Sequence, residues 1–274
     1  MDGRDENQAA YFSESLARGL SVLRAFDRDF PRLRIRDVAE RTGLNRAAAR
    51  RFLLTLRDLG YVGCDNGFFF LRPRILDLGY SYLVSTDIRG LTQPLLDELA
   101  ETTGEATTLA VLDGMDALIL ARACKRKFDL AIGSGSRLPL HRTALGHVLL
   151  AALPPAKLDV FLRKAPELAN ASAASKETLR RRLKTVRQQD YACVEGLLNS
   201  QLVAVAVPIR NRDGQVVAAL NVTSYDTPLK PAIISKKFLK PLSATKLQIE
   251  AAIRSSDAIP LNGEEFGDRT NTLR

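Results

Sequence analysis

The stretch Ile35–Leu59, IRDVAERTGLNRAAARRFLLTLRDL, decides the reading of this chain. It reads as two short helices joined at a tight corner. Arg36–Thr42 forms the first helix, Gly43 supplies a permissive turn, Leu44 packs inward, and Asn45 is a good N-cap for a second helix starting at Arg46. At about 100° per residue, Ala49, Phe52, Leu53, Leu56 and Leu59 share an apolar face. Arg46, Ala47, Arg50 and Arg51 lie on the opposite arc, with Ala48 at its edge. Such a helix suits the major groove of double-stranded DNA. Its alanines let the backbone come close, and each arginine can grip a guanine edge or a phosphate. Between Arg41 and Arg57 there are five arginines and no Asp or Glu. A solvated basic helix would account for the charge alone; the turn glycine, the cap and the small residues together favour DNA. The candidate DNA contacts are Arg34, Asn45, Arg46, Ala47, Ala48, Arg50 and Arg51.

Upstream, residues 1–12 form a polar arm, and Glu14–Phe26 carries Leu16, Leu20, Leu23 and Phe26 with Val22 beside them, an amphipathic helix. Downstream, Tyr61–Cys64 and Phe68–Leu71 flank Asp65-Asn66-Gly67, a strong hairpin signal. Helix, helix–turn–helix and hairpin in that order make a winged helix–turn–helix over 13–73, with the hairpin as the wing that lies along a phosphate chain or minor groove. Three consecutive phenylalanines, Phe68, Phe69 and Phe70, exceed what a two-stranded ribbon can bury, and some of them belong to the core. Arg74–Ser85, with Ile75, Leu78, Tyr82 and Leu83 at helical spacing, predicts a linker helix within 74–90 whose spare apolar stripe suits a second subunit.

Residues 91–256 alternate differently. A helix at Thr92–Thr103 stops at Gly104; strands at Ala106–Leu112 and Ala117–Ala123 flank Asp113-Gly114; a third strand is expected at Phe128–Ile132. A breaker-rich loop, Gly133–His141, leads into helices at Thr143–Ala152, from Pro154, and at Lys176–Gln189. Strands at Leu202–Ile209 and Val216–Thr223 and a helix at Pro231–Ser255 close this second domain, and 257–274 reads as a disordered tail. The fold class is α+β: an N-terminal winged helix–turn–helix, a linker helix and a C-terminal mixed α/β domain.

With 274 residues, 46% of them hydrophobic, the chain can build two cores. A net charge of +9 admits an anionic partner. Residues 1–90 hold 15 arginines, no lysine and 12 acids, a net of +3, so the local arginine run and not the total charge locates the DNA-binding part. High-GC codon usage gives the same arginine preference. Cys64, Cys124 and Cys193 stand far apart without a CxxC pair, which argues against a zinc site or a disulfide framework. No apolar run approaches the roughly 18 residues of a membrane span, and the polar N-terminus is unlike a signal peptide. A soluble cytoplasmic protein without membrane partner, metal or cofactor is expected.

Catalytic motifs are lacking: the sequence has no phosphate loop, no nucleophile elbow and no metal-ligand spacing. The Gly/Ser-rich loop feeding the helix at Thr143 does offer an anion seat at Thr143–Leu145, where free amides and the helix dipole favour a carboxylate. Arg137, His141 and Arg142 could clamp it, and Arg122 is a further cation; solvated arginines and a structural histidine are the plain alternative for these. His147 reads as structural. A cysteine-using enzyme built on Cys124 or Cys193, or a sensor that binds no DNA, are the competing readings.

Four stretches now add up: SLARGLSVLRAF (15–26), DVAERTGLNRAAARRFLLTLRDLGYV (37–62), GSRLPLHRTALGHVLLA (135–151) and VAVPIRNRDGQVVAALNVT (205–223). Together they resemble the IclR family of bacterial transcriptional regulators over residues 14 to about 255. The recognition helix begins Arg46-Ala47-Ala48-Ala49-Arg50-Arg51 where family members more often carry a Lys-Ser-Thr type start. That start resembles the branch controlling aromatic-acid and β-ketoadipate genes. The resemblance implies a homodimer or dimer of dimers on a partly palindromic operator of a catabolic operon, with RNA polymerase as a further partner. It implies a GAF-like domain taking a small aromatic or dicarboxylic acid as effector, such as protocatechuate or 4-hydroxybenzoate. The matching pocket positions are Thr143, Ala144, Leu145, Glu195, Ala204 and Asn221 to Thr223.

Overall fold

A computed structural model describes residues 12–27, 29–79, 88–124, 132–195, 202–225 and 234–255. These fall into two compact units, 12–79 and 88–255. In the first unit, α1 (Glu14–Arg24) is followed by α2 (Ile35–Thr42) and α3 (Arg46–Asp58). Gly43 ends α2 with φ +69°, a left-handed conformation that a side chain resists. Asn45 then caps α3 by accepting the Ala48 N–H at 2.8 Å. The hairpin β1 (Val62–Asp65) and β2 (Phe68–Leu71) turns through Asn66 (φ +49°) and Gly67 (φ +77°), the positive pair that a two-residue turn requires. Val22, Phe26, Leu33, Val38, Leu53, Val62 and Phe69 meet in one core.

Two expected apolar stripes are shorter than anticipated. α1 buries Val22 and, just beyond its end, Ala25 and Phe26, whereas Leu16 and Leu20 are 64% and 45% exposed. Only the C-terminal half of α1 lies over the helix pair, and the earlier turns extend past it. Leu59 caps the end of α3 and is exposed, because the helix leaves the core there. Of the linker helix, a 3₁₀ turn at Pro73–Ile75 and helical residues 76–79 are described; the rest of that expectation lies outside the described residues, as do most of the arm and the tail.

The second unit is built on a six-stranded antiparallel sheet. Its strands are β3 (Ala106–Asp113), β4 (Asp116–Ala123), β5 (Arg137–Pro139), β6 (Ala192–Glu195), β7 (Leu202–Arg210) and β8 (Val216–Tyr225), in the order β5-β4-β3-β8-β7-β6. Its helices are α4 (Ile88–Thr103), α5 (Ala144–Ala152), α6 (Pro155–Lys164), the single turn α7 (Pro166–Ala169), α8 (Ala173–Gln189) and α9 (Lys240–Ser255), the last preceded by a π-helical stretch at Ile234–Leu239. Strand alternation sorts the two layers. Val205, Val207, Ile209, Leu220 and Val222 point to one face, packed by Leu96, Leu99, Leu242 and Ile249 of α4 and α9. Ala110, Ala117, Ala204, Ala206 and Ala219 point to the other, packed by α5, α6 and α8. Those small side chains let α5 sit directly on the sheet, and eight of its nine residues are buried. Gly146 packs against the preceding 3₁₀ turn (Leu140–Arg142): a Cβ there would lie 2.0 Å from the Leu140 carbonyl oxygen.

Several boundaries differ from the sequence reading. α4 starts at Ile88, accommodating Pro94 inside it, and α8 starts at Ala173. The strand expected at Phe128–Ile132 falls mostly outside the described residues, and Ile132 itself is not in a strand. β5, read as loop, pairs with β4, and β6 was not anticipated.

Candidate functional site

Two surfaces carry chemistry, one in each unit. On α3, Arg46, Ala47, Arg50 and Arg51 are exposed, Ala48 is half-buried, and Ala49 and Leu53 are buried. Five other arginines of this unit are paired. Arg18 pairs with Glu14, Arg32 with Asp65, Arg36 with Asp37, Arg41 with Asp27, and Arg57 with Asp58. Among the described residues Arg46, Arg50 and Arg51 pair with no carboxylate; Arg51 lies only over the Phe52 ring. The arc facing away from the core is therefore uncompensated positive charge on a rigid, capped helix. Arg34 stands apart from that arc, before α2, and stacks on Phe68 of the wing with 4.4 Å between guanidinium carbon and ring centre.

In the second unit a cavity of about 40 Å³ opens where the N-terminus of α5 stands off the sheet. One water needs roughly 10–15 Å³ on such a measure, so there is room for more than solvent singletons. Sheet register sets its floor. Arg122, Thr108 and Asn221 are direct cross-strand neighbours in one row, and Thr223, Ala204 and Val194 are neighbours in the next row but one along the strands. All six line the cavity, with Ile119, Ile132, Leu138 and Leu202 as apolar wall and Thr143, Ala144 and Leu145 as roof. Among the described residues no carboxylate lines it.

The polar groups here are unevenly satisfied. The Thr143 hydroxyl accepts the Gly146 N–H at 2.9 Å and donates to the Pro139 carbonyl at 3.2 Å, so it caps α5. The amides of Ala144 and Leu145 precede the helix's own acceptors, and both residues line the cavity. Arg122 donates to the Ile132 carbonyl at 2.8 Å and pairs with no carboxylate among the described residues. Asn221 donates to the Thr223 hydroxyl at 3.1 Å, while its Oδ1, buried, has no partner among the described residues. A buried orphan acceptor in a cavity wall is costly unless something donates to it.

Thr143, Ala144, Leu145, Arg122, Ala204, Asn221 and Thr223 thus come together as the sequence suggested. Arg137, His141 and Glu195 do not. Arg137 turns outward to Asp113 and Asp116, because the two-residue period of β5 puts Leu138, not Arg137, on the cavity side. His141 bonds Glu167 through Nε2 at 2.9 Å, and Arg142 reaches the same carboxylate. Glu195 is exposed because the two-residue period puts Val194, not Glu195, on the inner face. Thr108 and Val194 were missed, since only register across distant strands reveals them. His147 is buried, bonded to the His141 carbonyl at 2.9 Å, and burial holds its pKa below the ordinary 6.5. The Cys193 thiol is pushed up to about 11, chiefly by burial, which is the reverse of an activated nucleophile. Among the described residues no cluster of His, Cys, Asp or Glu could hold a metal, and no helix is long and apolar enough to cross a membrane.

A DNA-binding helix pair with a wing, joined in one chain to a domain with its own small-molecule cavity, defines a ligand-responsive transcriptional regulator. Residues 15–65 match the IclR helix-turn-helix domain and residues 80–251 the C-terminal domain of bacterial transcriptional regulator IclR. The chain belongs to the IclR family. It is 37% identical over 237 residues to the Pca regulon regulatory protein of Pseudomonas putida, covering 85% of this chain and 81% of that one. It is 33% identical over 249 residues to the p-hydroxybenzoate hydroxylase transcriptional activator of Acinetobacter baylyi, covering 88% and 92%. An IclR-family regulator from Brucella abortus superposes with a TM-score of 0.76 at 26% identity, covering 92% of this chain and 97% of that one. An IclR homolog from Microbacterium hydrocarbonoxydans complexed with 4-hydroxybenzoate gives 0.74 at 26% identity, covering 89% and 100%. These relatives agree with the aromatic-acid branch that the sequence resembles.

Proposed function

We propose that this regulator senses a small hydroxylated aromatic acid and controls a catabolic operon for it. The observation that carries the reading is the polar row Arg122–Thr108–Asn221 beneath the start of α5. The amides of α5 and the Arg122 guanidinium supply positive groups for a carboxylate. Two strand spacings away, roughly 10 Å between backbones, Asn221 Oδ1 supplies an acceptor for a hydroxyl. A benzene ring with groups at opposite positions suits that separation, and the apolar walls suit its faces. The relative complexed with 4-hydroxybenzoate supports the same chemistry. The domain spanning 91–256 binds the effector without turning it over, and the domain spanning 13–73 binds the operator through Asn45, Arg46, Ala47, Ala48, Arg50 and Arg51. It acts in the cytoplasm as a homodimer or dimer of dimers, with RNA polymerase as the further partner at the promoter.

Calorimetric titration with 4-hydroxybenzoate, protocatechuate and benzoate tests this. Saturable binding of the hydroxylated acids, weakened in Arg122→Leu, is expected. Silence of the wild-type protein towards all three at millimolar concentration would remove the aromatic-acid reading.

A further inference from the structure

The wing carries an assembly that the recognition helix does not explain. Leu33 pairs with Phe69 as a single antiparallel bridge, so the segment before α2 acts as a third strand beside β2. Leu33 and Phe69 point into the core at 2% and 4% exposure. Strand alternation then turns Arg32, Arg34, Phe68 and Phe70 to the outer face. There the Arg34 guanidinium lies 4.4 Å from the Phe68 ring centre, and that of Arg32 lies 5.7 Å from Phe68 and 5.6 Å from Phe70. Gly63, opposite Phe70, leaves the room the ring fills: a Cβ there would come within 2.5 Å of it. The two arginines differ in one respect. Arg32 bonds Asp65 at 2.8 Å, whereas Arg34 makes no ion pair within 4 Å among the described residues, although its backbone N–H and, more weakly, its charge help to hold the Asp37 carboxyl below the usual range.

We infer that Phe68 is a positioning residue for DNA binding: its ring holds the face of the Arg34 guanidinium, which grips a backbone phosphate, while Asp65 keeps Arg32 latched in reserve. A guanidinium stacked by its face keeps its N–H edges free for a phosphate's oxygens, and the ring removes part of the side-chain freedom that binding would otherwise cost. Pinned at a flat sheet surface, it meets the rim of a groove and not a base edge at its floor. The contact is therefore indifferent to sequence.

Fluorescence anisotropy of the full-length protein tests this, using a labelled duplex of its own upstream region and an unrelated duplex, each across a salt series. Arg34→Ala should weaken both duplexes and reduce the salt slope by about one. Phe68→Leu should weaken both about two- to fivefold with the slope kept, since the charge remains. Phe68→Tyr, which keeps the ring face, should restore binding. Asp65→Asn should free Arg32 and raise both affinity and slope. Should Phe68→Leu fail to fold, Arg34→Lys serves at an exposed site: it keeps the charge, loses the stack, and should bind more weakly at an unchanged slope. Wild-type affinity and slope in Arg34→Ala, or Phe68→Tyr binding as poorly as Phe68→Leu, would overturn the inference.

Discussion

Asn45 does one job that can be separated from DNA contact. Its side chain accepts the Ala48 N–H at 2.8 Å, satisfying one orphan donor of α3. Asn45→Ala should cost about 1 kcal/mol, read as a lower denaturant midpoint, whereas Arg50→Ala at an exposed position should leave the midpoint unchanged. His147 gives a second residue-scale test, in pH. Burial holds its folded pKa below 6.5, so the unfolded chain takes up the proton first as pH falls. Stability from this site is complete above about pH 6.5 and is lost below it, down towards the depressed folded pKa. Urea unfolding of the wild type and His147→Gln between about pH 7.5 and 5.5 should show the shallower loss in the variant. Equal slopes would mean that His147 is not the group responsible.

At the scale of elements, α5 is held by its contact with the preceding turn, and Gly146 is the hinge of that contact. An added methyl at 2.0 Å from a backbone oxygen must push α5 away from Leu140. Gly146→Ala should destabilise the second unit by about 1–3 kcal/mol or more and weaken effector binding, because Ala144 and Leu145 ride on the same turn. A thermal melt at wild-type temperature would contradict this. The same elements explain what the sequence could and could not reveal. α3 was legible because its period, its cap and the glycine before it all agree. β5 was hidden because Pro139 argues against a strand, yet an edge strand pairs on one side only and tolerates it. β6 was hidden because four residues are too few to display a period. The loop–helix side of the cavity was readable from local chemistry. Of its floor, Arg122 was named from its charge and Ala204, Asn221 and Thr223 from the resemblance, whereas Thr108 was missed, because Thr108 and Asn221 are 113 positions apart and become neighbours only through register. Arg137 and His141 were read from charge beside the loop, which does not say which way a side chain turns, and Glu195, which came from the resemblance, lies on the outer side of β6.

At the scale of the molecule, an effector can shift DNA binding only by preferring one arrangement of the protein over another. The coupling is reciprocal: whatever factor 4-hydroxybenzoate applies to promoter affinity, the promoter must apply to 4-hydroxybenzoate affinity. Paired titrations check that equality, and unequal factors would mean that the two ligands do not act on one equilibrium. Both halves of that cycle presuppose that the unpaired arginines of α3 meet the duplex. The direct measurement is anisotropy titration of a labelled promoter duplex with Arg46→Ala, Arg50→Ala and Arg51→Ala proteins whose folding has been verified. A base-reading arginine should lose about five- to 150-fold on the promoter and less on unrelated DNA, and a phosphate-binding one should lose evenly on both. Folded variants, singly or together, that bind the promoter as the wild type does would contradict the account.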